Sequence, residues 1–305
     1  MGAADVVPGV SGGTIAFISG IYQELIDSIN KIDLKTILSV RKNGIKATWA
    51  ALNGNFLLAL ISGIFISILT FSKVITFLLD NHPILVWSFF FGLVLASILL
   101  IWKQITHWKY YSLFALLLGT FVSYYITIAK PVASPDSLPY LFLSGFVAII
   151  AMILPGVSGA FILLLMGSYQ TVIGTINQFR EGIASFNMEI LGQAMIKLMT
   201  FAVGAILGLK LFSKILHWMF AHHKNTTLAV LIGFMIGSLN KIWPWKQVLE
   251  TRLNSHGEVV PFLEKSILPQ HFEGNPQMIW AIVMVSSGFI LIVGLEKIAA
   301  KLGKN

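Results

Sequence analysis

Long apolar runs separated by short polar breaks set the pattern of this 305-residue chain. Phe56–Leu79, Ile84–Trp102 and Tyr110–Ala129 are each long enough to cross a bilayer at about 1.5 Å of helix per residue. Ile196–Phe220, Thr227–Trp243 and Met278–Leu295 repeat that pattern later in the chain. Two further apolar stretches are interrupted: residues 14–29 lead out of a glycine-rich break, and Tyr140–Gln178 contains a second one. Between the runs, residues 30–54 carry Lys31, Lys35, Arg41, Lys42 and Lys46 against Asp33, and read as a loop with an interfacial helix. Residues 103–109 form a short basic loop, and 244–277 form the longest polar stretch. The pattern predicts an all-α polytopic membrane protein.

The two interruptions are copies of each other. Pro8-Gly9-Val10-Ser11-Gly12-Gly13-Thr14 returns as Pro155-Gly156-Val157-Ser158-Gly159-Ala160, and Tyr22-Gln23 returns as Tyr169-Gln170, all at an offset of 147. Ten of twenty positions are identical between Val7–Ile26 and Leu154–Ile173. The likeness continues at an offset of 141, where Phe71-Ser72-Lys73 matches Phe212-Ser213-Lys214 and Gly92 with Ser97 matches Gly233 with Ser238. The chain therefore divides into repeat 1 (1–130) and repeat 2 (138–305), each a broken segment followed by three spans. Proline ends or starts a helix, glycine permits close backbone approach, and serine caps the helix that follows. Each motif thus reads as a break between two apolar half-helices. For one copy a kinked helix or a packing turn explains the pattern as well. Paired breaks in corresponding halves point instead to a transporter site.

If each broken segment is a re-entrant hairpin, three spans separate the copies, and an odd number inverts one relative to the other. Irregular backbone is tolerated at membrane depth only inside the protein, so both hairpins belong within the bundle. Charge sets the orientation. The basic loops 30–54, 103–109 and 217–226 and the C-terminal tail fall on one side, expected to be cytoplasmic. Loops 80–83, 130–139, 179–195 and 244–277 fall on the other. The expectation is six spans and two re-entrant hairpins, with no cleavable signal peptide.

Composition agrees with this picture. The chain is 56% hydrophobic and 11% charged, with a mean hydropathy of +0.82. Its net charge of +8 fits loops facing anionic lipid better than nucleic acid. It has no cysteine, which excludes disulfides, thiolate metal sites and a cysteine nucleophile. No ATP-binding loop and no common hydrolase or metalloprotease motif is present, His222-His223 lacks a carboxylate at metal-ligand spacing, and neither a metal nor a cofactor is expected.

Helix N-termini present unpaired N–H groups and partial positive charge, and they bind anions, phosphate above all. Two inverted hairpins would bring Ser11, Gly12, Gly13 and Thr14 to face Ser158, Gly159 and Ala160. The competing reading is that Ser11 and Ser158 only cap their own helices. Asp5 and Glu24 are the carboxylates nearest the first motif, and are candidates for carrying a coupling proton. A carboxylate at membrane depth is costly and usually has a role, whereas one at the surface is merely solvated. Tyr22, Gln23, Tyr169, Gln170 and Asn55 are candidates for lining the cavity; interfacial anchoring and helix capping are the plainer roles. Arg41, Lys46 and Arg180 are candidates for drawing phosphate to each mouth, or simply solvated loop charges.

The run from Gly2 to Thr14 with Gly20-Ile21-Tyr22, and the run Met152–Phe161 with Gly167-Ser168-Tyr169, resemble the signature motifs of the bacterial polyprenyl-phosphate translocases of the PopT type, formerly a domain of unknown function. The resemblance covers nearly the whole chain. It implies a flippase of the bacterial cytoplasmic membrane that moves undecaprenyl phosphate from the outer to the inner leaflet, recycling the carrier lipid of peptidoglycan and cell-wall synthesis. A phosphate head suits the helix N-termini, and a lipid-open groove suits the tail. Moving one negative charge inward costs about 2.3 kcal/mol per 100 mV, so transport needs consumption of the lipid inside or co-transported protons. Two other classes stay open at this level. One is an ion-coupled transporter of a small anion, which predicts a cavity closed to lipid. The other is an intramembrane lipid phosphatase, which would need a nucleophile with a base or a metal. Oligomeric state is not legible in the sequence.

Overall fold

A computed structural model describes residues 1–2, 11–33, 36, 38–132, 134–135, 137–253 and 259–302. The first repeat begins with two short helices, α1 (Gly12–Ile18) and α2 (Tyr22–Lys31), turning at Gly20, whose φ of 74° is in the left-handed region. An exposed helix α3 (Val40–Ala51) follows, broken at Gly44. Three long apolar helices complete the half: α4 (Gly54–Asn81), α5 (Pro83–Trp102) and α6 (Tyr110–Ile128). The second half contains α7 (Leu138–Ile153), α8 (Gly159–Leu165), α9 (Tyr169–Ala184), α10 (Met188–His222) and α11 (Lys224–Ser238). A two-stranded antiparallel hairpin, β1 (Lys246–Leu253) and β2 (Val259–Ser266), precedes the last helix α12 (Met278–Leu302).

The element boundaries follow the sequence repeat: α1 and α8 coincide at an offset of 147, and the ends of α4 and α10 at 141. Packing repeats as well. The first repeat's α5 lies on α12, and α6 lies on α11. A Cβ at Gly92 would collide with the carbonyl oxygen of Val285, and one at Gly233 with that of Leu116. Gly288 meets Phe89 as Gly119 meets Val230. Small residues let these backbones touch, as expected where lipid tails offer no hydrophobic drive for helix association. The buried core runs through these pairs and includes Phe90, Leu93, Leu231, Ile232 and Met235.

Five described helices are long and apolar enough to span a membrane, and six if the bent pair α8–α9 is taken as one. The difference from six straight spans lies in Thr227–Trp243. There the helix is α11, 15 residues long and about 22 Å, and it stops at Ser238 because the following residues turn into a polar knot described below. The polar stretches 179–195 and 244–277 are also more ordered than their composition implies. The first is largely the end of α9 and the start of α10; the second contains the β-hairpin.

Loop contacts gather at two ends. Thr106 bonds Asn225, and Ser112 Oγ lies 3.3 Å from Thr226 Oγ1, joining the 103–109 turn to the α10–α11 turn. At the opposite end Asn240 donates to Thr127, and Ile84, Trp245 and Ala281 share a small buried cluster.

Candidate functional site

The second break is a hairpin. After α7, Leu154–Ser158 turns the chain at Gly156, with φ of 86°, and α8 runs back along α7. Gly159 packs on Ala148, and Tyr140 donates to the carbonyl of Met166, so α8 returns to the end from which α7 started. Ser158 caps α8 by accepting from the N–H of Phe161 at 3.4 Å. Ser158 and Gly159 are half-buried, and Ala160 is exposed.

The first break meets the second at the end of α7. Ser11 Oγ accepts from the N–H of Gly13 and donates to the carbonyl of Met152 at 3.1 Å. Thr14 Oγ1 accepts from the N–H of Gly156 at 2.8 Å. Tyr22 Oη donates to the carbonyl of Ile153 at 3.2 Å. The N-terminal turn of α1 thus sits against the C-terminal carbonyls of α7, where its N–H dipoles and those carbonyls attract. A Cβ at Gly13 would lie 2.5 Å from the Ile153 oxygen, so only glycine permits this approach. From this junction α1 leads into α2, which runs antiparallel along the C-terminal part of α10 from Phe220, beside Tyr22, toward Lys210. Lys210 on α10 donates to the carbonyls of Ile29 and Asn30, and His217 Nδ1 is 2.6 Å from Asp27 Oδ1.

The structure therefore brings Ser11, Gly12, Gly13 and Thr14 together with the second motif, but the two motifs differ in access. Gly12, Gly13, Thr14 and Ser11 are buried, and the hydroxyls of Ser11 and Thr14 bond the other motif, while Ser158 and Gly159 are half-buried and Ala160 is exposed. Tyr22 is buried between Phe17 and Phe220 and lines neither cavity described here. Gln23, Glu24 and Gln170 are exposed, and Tyr169 is half-buried. Glu24 accepts from Asn53 at 2.8 Å, and Asn55 accepts from Trp49 at 2.8 Å. Arg41, Lys46 and Arg180 are exposed and stand apart from the junction in sequence and in fold. Asp5, Pro8, Gly9 and Val10 lie outside the described residues.

A polar knot that sequence reasoning missed lies beside the second motif. Where α11 ends, Lys241 and Lys246 share one carboxylate oxygen, Glu264 Oε2, at 3.3 and 3.6 Å. The Nζ of Lys241 also stands 4.6 Å from the centre of the Phe161 ring, in the first turn of α8. The Nζ of Lys246 stands 3.7 Å from the centre of the Trp87 ring on α5. The side chain of Lys246 is only 8% exposed, and its Nζ has no hydrogen-bond partner; neither has Ser88 Oγ, next to Trp87. Desolvation pulls the Lys246 ammonium down to about pKa 8, against the pull of Glu264. Burial alone would raise the Glu264 carboxyl, but the two ammonium groups outweigh it and hold it below the usual range. Alongside lies an open groove of about 370 Å³ lined by Phe91, Leu239, Asn240, Trp243, Ser266 and Leu268 among others. A smaller cavity of about 120 Å³ lies at Ser134, Ser168, Thr171 and Lys197. Among the described residues no group of three or more His, Asp or Glu side chains is placed to hold a metal ion.

Comparison with known proteins gives one consistent result. A family model described as undecaprenyl phosphate translocase-like matches residues 1–260. A polyprenyl-phosphate transporter of Vibrio cholerae is 44% identical over 305 residues, 99% of this chain and 94% of that protein. A polyprenyl-phosphate transporter of Staphylococcus aureus is 30% identical over 258 residues, 80% of this chain and 83% of that protein. No solved structure matches.

Proposed function

Because the chain belongs to the undecaprenyl phosphate translocase-like family, a family of transporters rather than enzymes, we propose that it flips undecaprenyl phosphate from the outer to the inner leaflet of the bacterial cytoplasmic membrane. The observation that carries this reading is the junction of the two breaks, with Thr14 bonded to Gly156 and Ser11 to Met152. The head-group phosphate passes at this junction. Ser158, Gly159 and Ala160 offer it the hydroxyl and N–H groups of the open helix start, and the buried Ser11–Thr14 turn holds that start in register. The two repeats are inverted about the junction; what supports this is that three long helices, α4, α5 and α6, separate the two breaks, an odd number. The C-terminus and the basic loops face the cytoplasm.

Inward movement of the anion against the membrane potential is driven by consumption of the lipid inside or by protons, with Asp5 and Glu24 as the carboxylates nearest the first break. Arg41, Lys46 and Arg180 act at a distance, through the field at the two mouths. Gln23, Tyr169 and Gln170, at the helix starts after each break, line the path at its ends.

The test is leaflet exchange of labelled undecaprenyl phosphate in liposomes containing the purified chain, with and without a proton gradient, and with undecaprenol as the neutral control. Protein-dependent movement of the phosphate lipid alone is expected. Movement no faster than in empty liposomes would overturn the reading.

A further inference from the structure

We propose that the Lys241–Glu264–Lys246 knot is a capture site for a phosphate monoester, and that the groove of Phe91, Trp243 and Leu268 takes the start of the attached polyprenyl tail. This rests on the transport reading for the identity of the lipid, but the site itself rests on the following geometry. Three charged side chains are drawn out of water around one carboxylate oxygen, and they leave one net positive charge. A buried ion cluster is costly unless its donors are used, and removing water from an ammonium without a full set of acceptors is the expensive part. Lys246 Nζ is in that position: its anionic partner, the Glu264 oxygen, lies at 3.6 Å, beyond hydrogen-bond length, and its other neighbour is the Trp87 ring. A buried ammonium whose donors are not all taken has room for a further acceptor.

The chemistry of that occupant follows from what surrounds it. Two ammonium groups facing one carboxylate match an anion of charge −1 to −2 with several acceptor oxygens, which a phosphate monoester supplies near neutral pH. The groove adjoins the knot: its lining residues Leu239 and Asn240 directly precede Lys241, and its Ser266 pairs with Lys246 across the hairpin. An anionic head and an apolar tail thus fit side by side. Lys241 links the knot to the start of α8 through Phe161, so a phosphate captured there lies next to the open end of the second break. Glu264 keeps the empty site from standing as two bare charges and competes with the incoming anion.

The role of Glu264 makes the test decisive. Binding of undecaprenyl phosphate, undecaprenol and inorganic phosphate is measured on the purified full chain in nanodiscs, together with melting temperature, for Lys241→Gln, Lys246→Gln and Glu264→Gln. Each lysine variant is expected to weaken undecaprenyl-phosphate binding about ten-fold or more, the usual loss for a hydrogen bond to a charged group. Undecaprenol binding stays unchanged, and Glu264→Gln binds the phosphate lipid as well as or better than the unaltered chain. A purely structural knot gives a different result: all three variants melt lower, and affinity per folded molecule is the same in all. That outcome overturns the proposal. If inorganic phosphate displaces the lipid and its binding needs both lysines, yet the chain moves no lipid in liposomes, the capture site stands and the transport reading falls. If transport is normal in both lysine variants and binding is unaltered, transport stands and the capture site falls.

Discussion

Replacing Thr14 with valine removes one hydrogen-bond acceptor and changes almost nothing else in volume. Thr14 is 1% exposed, and its Oγ1 receives the N–H of Gly156 at 2.8 Å. That N–H belongs to the turn of the second break, where φ is 86° and no helix supplies an alternative acceptor. Leaving a buried donor unpaired costs about 1–3 kcal/mol. Gly156 is half-buried, so water recovers part of the loss, and about 1–2 kcal/mol is expected, or roughly a five- to thirty-fold shift in the folded-to-unfolded ratio. Denaturant titration in mixed micelles measures this, with Thr14→Ser as the partner variant. The serine keeps the oxygen and should recover most of the loss. If Thr14→Val is as stable as the unaltered chain, the bond between the two motifs contributes nothing. If Thr14→Ser falls as far as Thr14→Val, packing of the methyl group, rather than the hydrogen bond, holds the junction. In either case the claim that the motifs lock each other fails.

Gly156→Ala should destabilise by more than 1 kcal/mol, since a left-handed φ costs a side chain about 1–2 kcal/mol and its Cβ would lie 2.5 Å from Ser238 Oγ; adding Ser238→Ala should recover only a small part, because the Ser238 Cβ at 2.9 Å and the Phe234 oxygen at 3.0 Å stay in the way, as melting of both variants would show. Because Lys246 is pulled down to about pKa 8, the unfolded chain holds a proton that the folded chain has lost between about pH 8 and the ordinary lysine range. Stability should therefore rise with pH across that window, by at most about 1.4 kcal/mol per unit, and Lys246→Met should flatten the rise. Glu264 and Lys241, with the ring of Trp87, are the groups facing Lys246, so the same scan on Glu264→Gln reports their share. With no cysteine in the chain, single cysteines at Glu273 and Lys46 give clean labelling: the first should react from outside intact cells and the second should not. Equal reaction at both would remove the proposed orientation.

The helices and the junction were legible because they rest on local chemistry and on repetition. Apolar runs set α4, α5, α6 and α10, and a constant offset of 147 marked Ser11 and Ser158 as equivalent before any contact was known. What the repeat does not carry is the difference between its copies. Ser11 is sealed against Met152 while Ser158 is only half-buried, and that depends on which elements lie alongside, not on the motif itself. The knot was hidden for a related reason. Lys246 and Glu264 sit in a stretch whose polarity reads as solvated loop, Lys241 falls inside the apolar run Thr227–Trp243, and Lys246 meets Trp87 across 159 positions of sequence (246 − 87).

Placing the phosphate lipid at the junction of the two breaks is the central claim, and photocrosslinking tests it most directly. A photoreactive residue in place of Ala160, at the exposed start of α8, is compared with one in place of Leu58, which is 56% exposed on α4. Irradiation in nanodiscs containing labelled undecaprenyl phosphate should join the lipid to position 160, and excess unlabelled undecaprenyl phosphate, but not undecaprenol, should suppress the adduct. Position 58 should give only the weak adduct of bulk lipid, insensitive to either competitor. An equal yield at the two positions, or no suppression at position 160, would contradict the account.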